Sequence, residues 1–420
     1  MPTPSEPHRP RARRAAALAV AGVLAGAVAA GPALPASAQD AGYDPKYCEP
    51  LAANNPLPKA WQVARLAPEK AWPIATGKGV TVAVIDTGVD SYQNPLLMRG
   101  GRGIVAANYN FAGVGQSSGD GPPKLDCQHG TRVASLIAGQ SDPNERTDFT
   151  GIAPDADIVS MRALTSTKQQ GEPEPLEPMV NAIRRATELD VDVINISQQA
   201  SDSPEFSSAI AAAIDQGIVV VAAAGNLGTG NAPPPYPASY PGVIAVGNTD
   251  SNDLPNETSQ SNADLEVTVA APGTEVLMVN PSQDGEQSWQ TDSGTSFAAP
   301  LVSGVVALML QAEPSLTPSQ VKQRLQDSAD PIAASAPDEQ LGYGVVNPHR
   351  ALTVLPPGSP HPSAPPTVVA PDPRRGKIDV PIQRNAALLV AFLGVTGLAL
   401  AAAIAAAYPA GRRRRWRAPK

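Results

Sequence analysis

The sequence predicts an α/β domain on a doubly wound, mostly parallel sheet flanked by helices. The first observation is a set of short, β-branched runs, "VTVAVI", "ADIVSM", "VDVINIS" and "GIVVVAAAG". They are apolar almost without interruption, as strands covered on both faces must be. The second is that "MVNAIRRATEL" and "EFSSAIAAAIDQ", lying between such runs, have helical spacing instead. The third is the order: strand and helix alternate, which implies parallel strands joined by right-handed crossovers. "STKQQGEPEPLEP" and "SDPNERTDF" are polar and punctuated by Pro or Gly, and read as surface loops.

The two ends of the 420-residue chain are of a different kind. "HRPRARR" precedes an apolar run from Ala15 to Ala30, and Ala36-Ser37-Ala38 offers small residues where a signal peptidase cuts. Residues 1–38 therefore read as a secretory signal, with the Arg13-Arg14 pair leaving the ordinary and the twin-arginine export routes both open. Residues 39–60 form an N-terminal extension, and 61–354 the α/β domain. Residues 355–385 are too proline-rich to build a core and read as a semi-rigid linker. Residues 386–408 are uncharged and long enough to cross a hydrocarbon layer of about 30 Å. The tail 409–420 follows with five Arg and one Lys, and positive charge stays on the cytoplasmic side. The expectation is a single-pass membrane protein whose α/β domain lies outside the cytoplasm.

Charge and cysteines agree with that address. The whole chain carries −8, but the basic ends conceal a formal −17 between residues 39 and 408, which argues against nucleic-acid binding. Cys48 and Cys127 are the two cysteines, and in an oxidising compartment one disulfide is the simplest assignment, with two free thiols as the alternative. Such a bridge would tie the extension to the loop before His129, with a worth of roughly 4 kcal/mol in the chain-entropy picture. Two Cys and four scattered His offer no metal-ligand spacing, so neither metal nor cofactor is expected.

Candidate chemistry begins at "GTSFAAPLVSG", where Ser296 stands ahead of a long apolar run. Taken alone, that serine is as well suited to capping a helix as to attacking a carbonyl. A nucleophile needs a base, and histidine is scarce: His8 is in the signal, His361 in the linker and His349 at the domain edge. His129, in "DCQHGTRVASLIAG", remains, at the start of a helix-like run. Asp86 ends the strand-like "VTVAVID" just before the turn Thr87-Gly88, where open α/β sheets place their sites. It could orient the imidazole, or serve only as a turn cap. Asn226, after "VVVAAAG", could donate its amide to a developing oxyanion together with the Ser296 N–H, or simply form a turn.

The four motifs "AVIDTGV", "HGTRVASLIAG", "AAAGN" and "GTSFAAP" run in the order Asp, His, Asn, Ser. In that order the chain resembles the subtilase (subtilisin-like, S8) family of serine proteases over Trp61 to Leu352. The resemblance implies a subtilisin-like fold, with Asp86, His129 and Ser296 as catalytic triad and Asn226 as oxyanion-hole amide. Thr295 would be a neighbour of the nucleophile and not the attacker. It further implies that Ser197, Gln198 and Gln199 match the edge segment that pairs with substrate backbone, and that Ala223, Ala224 and Gly225 match a wall of the specificity pocket. Many subtilases have small glycines where this chain has Gln198-Gln199.

Within the family, the short extension, Pro-rich linker, single C-terminal span and "DCQHGT" are similar to the mycosins, membrane-anchored subtilases of type VII secretion systems. "GIAPDADIVSMR", "VINIS" and "GYGVVNP" add to that likeness, although a further cysteine pair found in many mycosins is missing. The implied function is serine endopeptidase activity on protein or peptide substrates, in association with a type VII secretion membrane complex. The alternative is a structural component of such a complex, with proteolysis regulatory or dispensable. A lipase or esterase is disfavoured because no G-x-S-x-G elbow surrounds Ser296.

Overall fold

The computed structural model describes residues 59–90, 94–112, 128–142, 146–164, 176–229, 232–281, 289–332 and 336–354. The expected signal at 1–38, the extension up to residue 58 with Cys48, and Cys127 lie outside these residues. So do the proline-rich linker, the apolar stretch 386–408 and the basic tail.

In chain order the described strands are β1 (Thr81–Asp86), β2 (Met98–Arg99), β3 (Arg102–Gly103), β4 (Val105–Asn110), β5 (Asp157–Arg162), β6 (Val193–Ile196), β7 (Val219–Ala223), β8 (Ile244–Thr249), β9 (Val267–Pro272), β10 (Val276–Val279) and β11 (Trp289–Asp292). The helices are α1 (Trp61–Leu66), α2 (His129–Ala138), α3 (Leu176–Glu188), α4 (Pro204–Asp215), α5 (Thr295–Ala312), α6 (Pro318–Ser328) and α7 (Pro348–Thr353). One seven-stranded sheet has the order β4-β5-β1-β6-β7-β8-β9, with every neighbouring pair parallel. β2 with β3 and β10 with β11 are short antiparallel ribbons.

The near-continuous apolar runs are explained by two core layers. Val82 and Val84 of β1 face one layer and Ala83 and Ile85 the other, and β7 divides in the same way at Val219, Val221 and Ala223 against Val220 and Ala222. Helices α2 and α5 fill the first layer with Val133, Leu136, Phe297 and Leu301, while α3 and α4 fill the second with Met179, Ile183, Phe206 and Ile210. Each fully buried Leu, Ile, Phe or Met contributes about 1.5–3 kcal/mol relative to exposure. Because strand side chains alternate, Asp86 shares the face of Val82 and Val84 and so looks toward α2.

The chain lays β4 and β5 on one side of β1 and β6 to β9 on the other, so the topological switch falls at β1. Open α/β sheets bind ligands beyond the carboxyl ends of strands at such a switch. Two details differ from the sequence reading. The end of "STKQQGEPEPLEP" is already helical from Leu176, because Pro178 sits in a first turn, where no intrahelical N–H bond is lost. The sheet also extends to β4 at one edge and to β8 and β9 at the other, beyond the four runs that the pattern singles out. Among the described residues, α5 alone is long and apolar enough to cross a membrane, but it is 83% buried and forms the core.

Candidate active site

Asp86 is fully buried at the end of β1, and its Oδ1 accepts the Thr87 N–H at 2.7 Å. His129 is the first residue of α2, brought there by Gln128, whose backbone has a φ of 74°. Its Nδ1 lies 2.8 Å from Asp86 Oδ1 and 2.9 Å from Oδ2. An N–H facing both oxygens of a carboxylate fixes the tautomer and leaves Nε2 for other work. α2 reaches this position because residue 130 is glycine: a Cβ there would stand 2.0 Å from the Gly88 carbonyl oxygen. Gly130 N–H also donates to Thr87 Oγ1 at 3.0 Å, fastening the helix start to the turn after β1.

Burial of the imidazole opposes its protonation. The charge of Asp86 and its hydrogen bond, with a smaller contribution from Asp292, outweigh burial and the opposing Arg132, so the pKa of His129 is raised above its ordinary 6.5.

Ser296 is the second residue of α5 and is 8% exposed. It therefore stands at a helix N-terminus, where free N–H groups and the helix dipole favour negative charge. Pro300 removes the N–H that would otherwise bond the Ser296 carbonyl. A side chain on Gly294 would begin 3.2 Å from Ser296 Oγ and 3.3 Å from Asn226 Nδ2, so hydroxyl and amide share one rim. Asn226 Oδ1 accepts the Thr295 N–H at 2.9 Å and the Thr295 hydroxyl at 3.0 Å, while the Thr295 Oγ1 accepts the Gly225 N–H at 3.1 Å. That arrangement holds the oxygen end of the exposed Asn226 carboxamide and leaves its NH₂ end as the donor.

The two halves meet through Phe297, which follows Ser296 and whose ring centroid lies 5.2 Å from that of His129. Among the described residues, no hydrogen bond joins Ser296 Oγ to the imidazole.

The sequence-selected segments Ser197–Gln198–Gln199 and Ala223–Ala224–Gly225 follow or end the adjacent strands β6 and β7. Ser197 is buried, Gln198 half-buried and Gln199 exposed; Ala223 and Ala224 are buried. Gly225 has a φ of 98°, a backbone conformation that strains any residue with a side chain, and the carboxamide ends of Gln260 and Gln199 lie over it. Three supporting residues escaped the sequence reading. Asn195, wholly buried on β6, donates to Ser197 Oγ at 3.0 Å and accepts from Ser303 Oγ of α5 at 2.8 Å. Its signal was a carboxamide inside the otherwise apolar "VINIS". Thr295 enters the sequence reading only as a neighbour of Ser296, and Arg132 does not enter it as a site residue.

Comparison with known proteins agrees with this geometry. The model of the subtilase family, Peptidase S8, matches residues 77–344. Subtilisin DY of Bacillus licheniformis is 35% identical over 278 residues, covering 64% of this chain and 90% of that protein. Mycosin-1 of Mycolicibacterium smegmatis is 32% identical over 399 residues, covering 81% of this chain and 84% of that one. The solved structure of MycP3 protease from the type VII (ESX-3) secretion system superposes with a TM-score of 0.58 at 30% identity, covering 72% of this chain and 90% of that one. A buried Asp-His pair, a serine at a helix start and a sheet of this order thus coincide with a match over most of the domain, and the chain belongs to the subtilase family of serine peptidases, which are hydrolases.

Proposed function

We propose that this chain is a membrane-anchored serine endopeptidase acting outside the cytoplasm, with Asp86, His129 and Ser296 as its triad and Asn226 as oxyanion donor. The observation that carries this reading is the buried Asp86–His129 pair beside Ser296 at the start of α5. Ser296 Oγ attacks the scissile carbonyl as His129 Nε2 takes its proton; the same imidazolium then gives that proton to the leaving amine. Asp86 orients the ring and stabilises its charged form. The developing oxyanion is met by Asn226 Nδ2 and the Ser296 N–H. Catalytic hydrogen bonds of this kind are often long until substrate arrives, which accommodates the absence of a hydrogen bond between Ser296 Oγ and the imidazole. Gln198, Gln199, Ala223, Ala224 and Gly225 would border the bound peptide, with Ser197 held from below by Asn195.

Association with a type VII secretion complex is supported by the likeness to Mycosin-1 and the MycP3 protease. Anchoring through 386–408 is supported by that stretch and the basic tail after it. The test is a serine-directed fluorophosphonate applied to the full-length chain, with Ser296→Ala beside it. Labelling and proteolysis are expected in the wild type and absent in the variant; labelling that survives the substitution overturns the triad. Complementing a deletion strain with Ser296→Ala then separates the roles. Lost secretion ties the system to proteolysis, whereas restored secretion assigns the chain a structural part.

A further inference from the structure

Arg132 stands one helical turn after His129 on α2, and its residue is only 7% exposed. Its Nε donates to Asn280 Oδ1 at 2.6 Å, and Nη2 donates to Gln128 Oε1 and to Gln290 Oε1, each at 2.6 Å. Asp292 Oδ2 lies 3.6 Å from Nη1. These partners come from separate places. Gln128 caps the start of α2, Asn280 directly follows β10, and Gln290 and Asp292 belong to β11.

β11 leads through Ser293 and Gly294 into α5, whose second residue is Ser296. The guanidinium fork therefore ties the helix that presents His129 to the strand that delivers the nucleophile. Taking a cation this far from water is costly unless its hydrogen bonds are well made, and the fork geometry of arginine suits several oxygens at once. A misplacement of about 1 Å between reacting groups can cost roughly a hundredfold in rate, so a rigid tie at this point matters.

We infer that Arg132 is a positioning residue of the triad, tying the helix that presents His129 to the strand that leads into Ser296 and standing as a cation one turn from the imidazole. The inference rests on the triad reading above. Among the described residues, the charged groups facing His129 are Asp86 from β1, Arg132 from its own helix and Asp292 from β11, while α5 presents the uncharged ring of Phe297. Asp86 and Asp292 favour the imidazolium and Arg132 disfavours it. Removing Arg132 and removing Asp292 must then move the acidic limb of activity in opposite directions, which a merely structural role would not do.

The experiment uses the full-length chain in detergent, with dye-quenched casein as substrate, and reads kcat/KM against pH alongside thermal unfolding. Arg132→Gln is expected to lower the plateau at least about tenfold and to move the acidic limb up. Arg132→Lys keeps the charge without the fork, so its limb stays at the wild-type position while its plateau falls. Asp292→Asn alters a half-exposed carboxylate and moves the limb down.

Limbs that stay in place in both Arg132→Gln and Asp292→Asn overturn the electrostatic half. Wild-type plateaus in both Arg132 variants overturn the clamp. Should Arg132→Gln fail to fold, Arg132→Lys and Asp292→Asn still decide both halves. Ser296→Ala keeps the two readings apart: cleavage by that variant at close to the wild-type rate sinks the triad itself, whereas a Ser296→Ala variant slowed by several orders of magnitude together with unmoved limbs sinks the Arg132 inference alone.

Discussion

A carboxamide has an accepting end and a donating end, and at Asn226 the accepting end is already occupied twice by Thr295. The amide NH₂ is thereby fixed as the outward group before any substrate binds, and preorganisation of this kind is what makes a donor useful to a transition state. If Asn226 has its proposed role, Asn226→Ala lowers kcat by roughly 10²–10³ with KM little changed, because that interaction would form only as the oxyanion develops. A loss confined to KM, measured in steady-state kinetics, would place Asn226 in ground-state binding instead. At this scale the sequence is informative only through combination. Ser296, His129, Asp86 and Asn226 are each ordinary as single residues, and their order along the chain singles them out. Thr295 and Asn195 could not be found in that way, since their roles come from partners 69 and 108 positions away.

Elements are easier to read than residues, because burial on two faces leaves a continuous apolar run and burial on one face leaves a helical period. β1, β5, β6 and β7, with α3 and α4, stand where those patterns put them. β8 and β9 are equally buried, but "IAVGNT" breaks its apolar run at Gly247 and Asn248, and "VTVAAP" carries a threonine and ends on proline, so each pattern alone is weak. The pattern says nothing of how closely two elements approach. α2 meets the turn after β1 so tightly that a Gly130 Cβ would stand 2.0 Å from backbone oxygen, an atom that cannot swing aside as a side chain does. Gly130→Ala should therefore push the start of α2, and His129 with it, away from Asp86. The expected result is a loss of about a hundredfold or more in kcat/KM with a lower melting temperature. Full activity in the alanine variant would mean that the helix start is not locked to β1 in the working enzyme.

For the molecule as a whole, the Asp86–His129 pair makes stability and activity respond to pH in opposite senses. The folded protein holds the imidazole proton more tightly than the unfolded chain does, since the effect of Asp86 exceeds the cost of burial and the pKa lies above 6.5. A group whose pKa is raised on folding stabilises the fold while it is protonated. That contribution is complete below the unfolded value of 6.5 and is lost as pH climbs through the raised folded value. In the proposed mechanism catalysis needs the neutral ring, because an imidazolium cannot accept the serine proton, so activity is expected to grow over the same climb. Other groups titrate too, and the effect is isolated by subtracting the melting temperature of His129→Gln from that of the wild type at each pH. This difference should be largest near about pH 5 and shrink toward pH 8, while wild-type kcat/KM rises across that interval. A difference that widens with pH would mean that burial, not Asp86, governs the imidazole, and the buried carboxylate would then need another reason to sit at the end of β1.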